Sequence, residues 1–212
     1  MTKPSLDLRC YFVTGQGEDV VERARQAAAG GAGVIQVRSK PITARELYAL
    51  SRAVAEAAHS VNPQAHVLID DRADVAAALR NQGIAGVHVG QDDLDVRVVR
   101  ELLGPDAIIG LTTGTLELVQ AANEHKDVID YIGCGPFRAT PTKDSGRAPI
   151  GLDGYPDLVA ASKLPLVAIV RGIMHADDAK AYCERVIAEF ERGAQARAAT
   201  SQPHAQTQRK HP

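Results

Sequence analysis

The chain has 212 residues, of which 45% are hydrophobic, and its 24 Lys and Arg against 26 Asp and Glu give a formal charge of −2. This length and apolar content favour one domain with a substantial core, and the near-balanced charge gives no reason to expect nucleic acid or an anionic membrane as the main partner. Three cysteines lie far apart with no Cys-x-x-Cys pair, so neither a disulfide framework nor a zinc site is indicated. Since no signal peptide and no run of roughly 18 apolar residues is present, we expect a soluble, cytoplasmic protein.

Short apolar, β-branched runs alternate along the chain with alanine-rich segments of helical spacing. The predicted strands are Cys10–Thr14, Gly33–Arg38, His66–Asp70, Gly86–Val89, Ile108–Leu111, Asp130–Gly133 and Leu166–Val170. The predicted helices are Glu18–Ala29, Thr43–Val61, Arg72–Arg80, Asp95–Leu103, Thr115–His125, Leu152–Ser162 and Asp177–Arg192. Thr43 followed by Glu46 matches a capping box, which favours a helix start there.

Strict alternation of strand and helix predicts a parallel sheet, because each helix then connects two neighbouring parallel strands. A closed (βα)8 barrel and an open doubly wound sheet both fit, and both bind ligands at the carboxyl ends of their strands. Residues 1–193 form the predicted domain. Residues 194–212 lose the apolar periodicity and are rich in polar residues, which predicts a disordered tail.

The second predicted strand ends in a basic, polar stretch. Alternation along an extended segment sends Gln36, Arg38 and Lys40 to the same side, where an amide, a guanidinium and an ammonium can converge on one ligand. Arginine offers a fork of donors and lysine a mobile charge, a combination suited to diphosphate. The alternative is a solvated basic strand end that pairs with nearby acids.

The next two strands end in acids. Asp70 and Asp71 close the third strand, and Asp92 and Asp93 follow the fourth. Carboxylates at neighbouring strand ends can share one Mg²⁺, which takes one or two carboxylates and completes its shell with waters and phosphate oxygens. Alternatively, these acids cap the helices that follow.

Further polar groups follow the fifth and sixth strands. Thr112 lies in a turn that suits either an anion or an ordinary helix cap. The long loop after the sixth strand contains Thr140-Pro141-Thr142-Lys143, a set of hydroxyls and a cation that suits phosphate. His88 is interpreted as an interior histidine with a hydrogen-bond partner rather than as a general base. A dehydrogenase is disfavoured because no G-x-G-x-x-G follows the first strand.

From Cys10 to Phe190 the chain resembles the thiamine-phosphate synthase family. The resemblance is carried by GVIQVRSK, LIDDRADVA, GIAGVHVGQDDL and DYIGCGPFRATPTKDS, in this order. It implies a (βα)8 TIM-barrel-type fold and a transferase that joins a pyrimidinylmethyl diphosphate to a thiazole phosphate and releases pyrophosphate. It also implies Mg²⁺ as the cofactor and small molecules as the partners, with a homo-oligomer left open.

The resemblance assigns a role to each matching residue. Arg38, Lys40 and Lys143 become catalytic, because they would neutralise the leaving diphosphate, and Asp71 and Asp93 become the Mg²⁺ ligands. The implied substrate-binding residues are Gln36, Val37, Arg38, Ser39, Lys40, Asp70, Thr112, Thr140, Pro141, Thr142, Lys143, Val170 and Arg171. Asp70 stands where many members of the family carry asparagine.

The family pattern breaks in the segment LPLVAIVRGIMHADD, residues 164–178. Its front resembles the family's seventh strand and its back the end of the eighth, so about one βα unit is missing between strands 7 and 8. Val170-Arg171 stands where Val-Ser is usual, and Arg171 either adds a cation to the thiazole phosphate site or fills it. Two alternatives to an active synthase follow: a thiazole tautomerase-like paralogue, and a non-catalytic relic that binds phosphate ligands.

Overall fold

In the part of the chain that the structure describes, seven parallel strands follow one another in chain order, each joined to the next through a helix. The computed structural model describes residues 5–135, 149–151, 153–167 and 172–200. In this part of the chain the strands are β1 Tyr11–Val13, β2 Val34–Val37, β3 His66–Asp70, β4 Ile84–Val89, β5 Ile108–Thr113, β6 Tyr131–Cys134 and β7 Leu166–Val167. The helices are α1 Val20–Ala29, α2 Ala44–His59, α3 Ala73–Leu79, α4 Val96–Leu103, α5 Leu116–Ala122, α6 Tyr155–Ala161 and α7 Ala179–Thr200. Each strand pairs with its sequence neighbour, in the order β1-β2-β3-β4-β5-β6-β7.

The seven predicted strands and seven predicted helices are confirmed, with shifts at their ends; residues 168–170 of the predicted seventh strand and residue 152 of the predicted sixth helix lie outside the described residues. The predicted capping box is present: Thr43 Oγ1 accepts from the Glu46 amide at 3.3 Å, and the Glu46 carboxylate accepts from the Thr43 amide at 3.0 Å. The helix predicted to reach His125 is α-helical only to Ala122 and then tightens into a 3₁₀ turn.

The largest difference concerns the last helix. Helix α7 continues to Thr200, beyond the predicted helix end at Arg192 and into the segment predicted to be a tail. Its reason is local, since several alanines in this stretch favour helix even without an apolar stripe. Residues 201–212 lie outside the described residues.

The strands bury both faces, in two layers of different character. Phe12, Ile35 and Ile69 point outward and pack in the core beneath the helices. Tyr11, Tyr131 and their neighbours point inward and form a second apolar cluster, which comprises Tyr11, Val13, Val34, Leu68, Ile108, Tyr131 and Val167. Two buried faces explain the uninterrupted apolar strand runs, because both alternating sets of side chains leave water.

The last helix packs against the first βα unit, so the layer of helices around the strands is nearly closed. A Cβ at Gly30, just after α1, would collide with the backbone of Lys180 in α7. Arg23 of α1 donates to the Ala176 carbonyl at 2.8 Å, and Arg9 lies 2.5 Å from Glu191. A 3₁₀ helix, Gly172–His175, lies between β7 and α7, and its Met174 approaches Gly15 after β1. The fold is therefore a TIM-barrel type with seven strands, which is nearly closed and lacks one βα unit.

This arrangement confirms the interpretation of residues 164–178. Leu166 and Val167 pair with β6, as a seventh strand should. Gly172–His175 already lies beside the first βα unit, where the end of an eighth strand belongs. Within the described residues, no helix is long and apolar enough to cross a membrane.

One glycine inside the barrel generates a prediction. A Cβ at Gly110 would overlap the Tyr131 ring and the imidazole of His88, both fully buried. We expect Gly110→Ala to lower the free energy of unfolding by about 1–3 kcal/mol, the usual cost of overpacking a core. Chemical denaturation followed by circular dichroism measures this change.

Gly193→Ala is the matched control. Gly193 lies in α7 with no atom within 4 Å of an added Cβ, so alanine there should be neutral or stabilise by up to about 1 kcal/mol. Equal stability of Gly110→Ala and the parent protein would contradict the packing described for the barrel interior.

Candidate active site at the carboxyl ends of the strands

The carboxyl ends of β2, β3 and β4 surround an open cleft of about 630 Å³. Its walls include Val37, Ser39, Lys40, Asp70, Asp71 and Asp93. The structure thus brings together residues that the sequence assigned separately to a phosphate site and to a metal site. Val37 is fully buried in the layer under the helices, whereas Ser39 is partly exposed at the cleft.

The basic stretch at the end of β2 converges on one carboxylate. Gln36 Nε2 donates to Asp70 Oδ1, and Asp70 Oδ2 lies 3.2 Å from Lys40 Nζ and 3.5 Å from Arg38 Nε. Lys40 also contacts the Asp71 carboxylate. The predicted common side of Gln36, Arg38 and Lys40 is therefore confirmed. The two cations pair with acids, as the alternative interpretation of this stretch expected.

The acids Asp71 and Asp93 are held by turns and do not cap helices. Asp71 has a left-handed backbone (φ 61°), and its amide donates to the His88 carbonyl at 2.8 Å. Asp93 Oδ2 accepts from the Gly90 amide at 2.7 Å. Helix α4 is capped instead by Asp95, whose carboxylate accepts from the Arg97 amide at 2.8 Å. The capping alternative is thus wrong for Asp71 and Asp93.

A line of hydrogen bonds crosses the barrel interior below the cleft. Tyr11 Oη donates to Gln36 Oε1 at 2.7 Å and lies 2.7 Å from Tyr131 Oη. Tyr131 Oη lies 2.9 Å from His88 Nδ1, and His88 Nε2 lies 2.9 Å from Thr112 Oγ1. The interpretation of His88 as an interior histidine with a partner is confirmed. Burial raises the pKa of the Tyr11 and Tyr131 hydroxyls, so both keep their protons.

Sequence reasoning missed the two tyrosines. The signal that was available is the inward position of each tyrosine on a strand next to a polar strand end, because a buried tyrosine hydroxyl needs a partner. Gln91 was also missed; its amide donates to the Thr112 carbonyl at 2.6 Å. The predicted residues Thr140, Pro141, Thr142, Lys143, Val170 and Arg171 lie outside the described part of the chain.

Fold and cleft together define the class: an α/β-barrel protein with a cleft for small molecules at the carboxyl ends of its strands. Residues 10–189 match the family model described as "Thiamine monophosphate synthase". The chain belongs to this family.

Curated relatives named "Thiamine-phosphate synthase" are similar over most of both chains. The protein from Corynebacterium jeikeium is 61% identical and aligns over 88% of this chain and 96% of its own. The protein from Corynebacterium efficiens is 57% identical, with 91% of this chain and 100% of its own covered. A solved structure named "Thiamine phosphate pyrophosphorylase", from Pyrococcus furiosus, superposes with a TM-score of 0.70 at 27% identity, over 87% of this chain and 99% of its own.

The alignment lengths agree with a missing unit. The match to the C. efficiens protein spans 218 residues, more than the 212 of this chain, yet covers 91% of this chain. That relative therefore contains about 25 residues without a counterpart here, about the size of one βα unit.

Lys40 provides a direct test of the cleft as an anion site. We expect Lys40→Gln to weaken the binding of inorganic pyrophosphate, measured by calorimetry with Mg²⁺ present, by about tenfold or more. A hydrogen bond to a charged group contributes about 1.5–3 kcal/mol, and 1.4 kcal/mol is a factor of ten.

Lys180→Gln is the control, because Lys180 lies in α7 and pairs only loosely with Glu184, at 3.8 Å. It should leave pyrophosphate binding unchanged. If Lys40→Gln bound pyrophosphate as tightly as the control, Lys40 would not belong to the anion site.

Proposed function

We propose that this chain is a thiamine-phosphate synthase, a transferase that joins 4-amino-2-methyl-5-pyrimidinylmethyl diphosphate to a thiazole phosphate and releases pyrophosphate. The observation that carries the proposal is the meeting of Lys40, Asp71 and Asp93 on the walls of one cleft, beside the ion pair of Arg38 with Asp70, in a chain that belongs to this family. The relatives named above are synthases by name, and none of them favours a tautomerase.

The charges of the cleft support a divalent cation as part of the site. In the described residues, Arg38 and Lys40 face three carboxylates (Asp70, Asp71 and Asp93), and a third cation on the cleft wall, Arg72, pairs with Asp74. A diphosphate would therefore meet carboxylates as well as cations there. The described residues contain no group of three or more His, Cys, Asp or Glu side chains that could hold a metal ion. Magnesium suits such a site, since it needs only one or two carboxylates and takes the substrate's phosphate oxygens as further ligands.

Asp71 and Asp93 are the residues that would hold Mg²⁺. The donor set fits: both are carboxylates on the cleft wall, and Asp71 has only Lys40 as its charged partner among the described contacts. When bound, the ion would neutralise charge on the leaving diphosphate.

The chain's own residues bind and orient the diphosphate. Arg38 and Lys40 can exchange their contacts with Asp70 and Asp71 for diphosphate oxygens, and Lys40, with 45% of its side chain exposed, has the freedom to do so. The C–O bond to diphosphate breaks with its electron pair on the leaving oxygen, and the lone pair of the thiazole nitrogen forms the new bond to the methylene carbon. That nitrogen carries no proton, so the step needs charge neutralisation and alignment rather than a general base.

The remaining contacts stay predictions from the sequence. Lys143 is proposed to bind the diphosphate, and Thr140–Thr142 with Val170 and Arg171 are proposed to border the thiazole phosphate. The described cleft uses β2, β3 and β4, which lie away from the junction between β7 and α7 where the unit is missing. The relic alternative therefore concerns the thiazole phosphate half of the site.

Turnover tests the whole proposal. Purified protein with both substrates and Mg²⁺ should form thiamine phosphate and pyrophosphate in equal amounts. Chromatography measures the thiamine phosphate, and a pyrophosphate assay measures the second product. Absence of product above background, with the pyrimidine diphosphate still bound in calorimetry, would overturn the synthase and favour the relic.

The proposed metal ligands are tested by Asp71→Asn and Asp93→Asn. Each should reduce Mg²⁺-dependent kcat/KM by about 10²-fold or more, because a charged ligand in the cleft is lost. Asparagine keeps both local structures: it tolerates the left-handed backbone of residue 71, and its carbonyl can still accept from the Gly90 amide.

Asp95→Asn is the matched control, because asparagine caps a helix as well as aspartate does and Asp95 caps α4. It should retain the parent rate. If Asp93→Asn retained the parent rate and its Mg²⁺ dependence, Asp93 would not be a metal ligand.

We also propose a cytoplasmic location. Cys10, Cys134 and Cys183 are all free and buried, which suits a compartment that keeps thiols reduced.

A further inference from the structure

The line of hydrogen bonds beneath the cleft has a defined direction. We propose that Tyr11, Tyr131 and His88 are positioning residues that fix the hydroxyl oxygen of Thr112 as a hydrogen-bond acceptor, so that the enzyme selects a heterocycle with an N–H donor at that place. This inference deepens the proposed function and rests on it for the identity of the heterocycle.

The direction follows from counting protons, starting at Asp70. A carboxylate only accepts, so Gln36 presents its NH₂ group to Asp70 and its carbonyl oxygen to Tyr11. Tyr11 donates its only hydroxyl proton to that oxygen. The contact between the two tyrosines must then be made by the Tyr131 proton, donated to Tyr11.

We call the line of hydrogen bonds that runs from Asp70 through Gln36, Tyr11, Tyr131 and His88 to Thr112 the relay. The same count continues to its other end. Since the Tyr131 hydroxyl donates its proton to Tyr11, His88 Nδ1 must carry a proton and donate it to Tyr131. In a neutral imidazole the other nitrogen then has no proton, so His88 Nε2 accepts from the Thr112 hydroxyl. Every donor in the relay thus points toward Asp70, and the Thr112 oxygen keeps only lone pairs for a ligand.

Burial makes this polarity hard to reverse. Tyr11 and Tyr131 are 0% exposed and Gln36 and His88 are 2% exposed. A buried donor or acceptor left without its partner is costly, so one reversed link would require every link between it and Asp70 to reverse. The carboxylate cannot donate, and it therefore holds the whole line in one orientation. Gly110 provides the room, since a side chain there would displace both Tyr131 and His88.

The orientation of the Thr112 hydroxyl determines whether the site binds a hydrogen-bond donor or an acceptor of the substrate. Thr112 lies at the end of β5, partly exposed, at the edge where ligands bind in this fold. An amino group can donate to its oxygen. A carbonyl oxygen in the same place would face a second acceptor and be rejected, as polar sites reject analogues that leave a group unpaired.

The first experiment compares two ligands on one protein sample. The probes are the 4-aminopyrimidinylmethyl diphosphate and its analogue with oxygen in place of the amino group, measured both in turnover and by calorimetry. The parent protein should prefer the amino compound by about 100-fold or more. In Tyr131→Phe and in Tyr11→Phe the preference should fall at least about tenfold, because the relay is cut and Thr112 can turn to donate. The KM for the thiazole phosphate should stay unchanged.

The control and the readout separate positioning from folding. Tyr48→Phe removes a tyrosine hydroxyl that contacts Gln82 on the outside of the barrel, and it should keep the parent preference. A ratio of two ligands does not depend on the fraction of folded protein, so a merely destabilised variant would keep it too. An unchanged ratio in both Tyr131→Phe and Tyr11→Phe would overturn the relay.

The second experiment needs no substrate. Nitrogen-15 NMR of the imidazoles, with His88→Gln to assign the signal among the 7 histidines, should show His88 protonated on Nδ1. Protonation on Nε2 alone would overturn the relay. If no thiamine phosphate forms but the Nδ1 proton and the ligand preference are present, the relay stands and the proposed reaction fails.

Discussion

The carboxylate of Asp70 is the group on which both the cleft and the barrel interior depend. Its side chain is 8% exposed, and a buried charge is tolerated only with partners. On the cleft side Arg38 and Lys40 neutralise it, and on the interior side Gln36 donates to it and begins the relay to Thr112. Because one oxygen faces each side, the orientation of the interior groups and the position of the phosphate-binding cations are set together.

Aspartate at this place has consequences that asparagine would not have. An asparagine could accept from Gln36, but it carries no charge to hold Arg38 and Lys40. In this chain Asp70 holds both cations at the cleft, and the leaving group of the proposed reaction would compete with Asp70 for them. The divalent cation proposed for this site would relieve that competition, since it would add positive charge to a cleft that three carboxylates line.

The sequence predicted the strands, helices and charged strand ends because each depends on local patterns. Gln36, Arg38 and Lys40 share a side by simple alternation, and the acids of β3 and β4 meet them because neighbouring parallel strands end at the same edge. The tyrosines of the relay were not found, because Tyr11 and Tyr131 are separated by 120 residues and look like ordinary apolar strand residues. Their contact depends on the closing curvature of the sheet and on the absence of a side chain at Gly110, and neither is a local property. The continuation of α7 to Thr200 was missed for the opposite reason: local alanine propensity outweighed the loss of apolar periodicity.

The missing βα unit affects the two halves of the site unequally. Parallel strands are stabilised mainly by their immediate neighbours, and the pairing from β1 to β6 is continuous. The cleft on β2, β3 and β4 and the relay from β1 to β6 therefore lie on strands whose pairing the loss does not interrupt. Phosphate sites in barrels of this type are commonly built from the loops after strands seven and eight, which here are joined within one short segment. The groups proposed to hold the pyrimidine diphosphate are thus supported by the intact part of the sheet, whereas Val170 and Arg171, which are proposed to border the thiazole phosphate, belong to the shortened part. A cation at that junction can replace backbone donors lost with the unit, since a guanidinium offers a fork of donors to one phosphate.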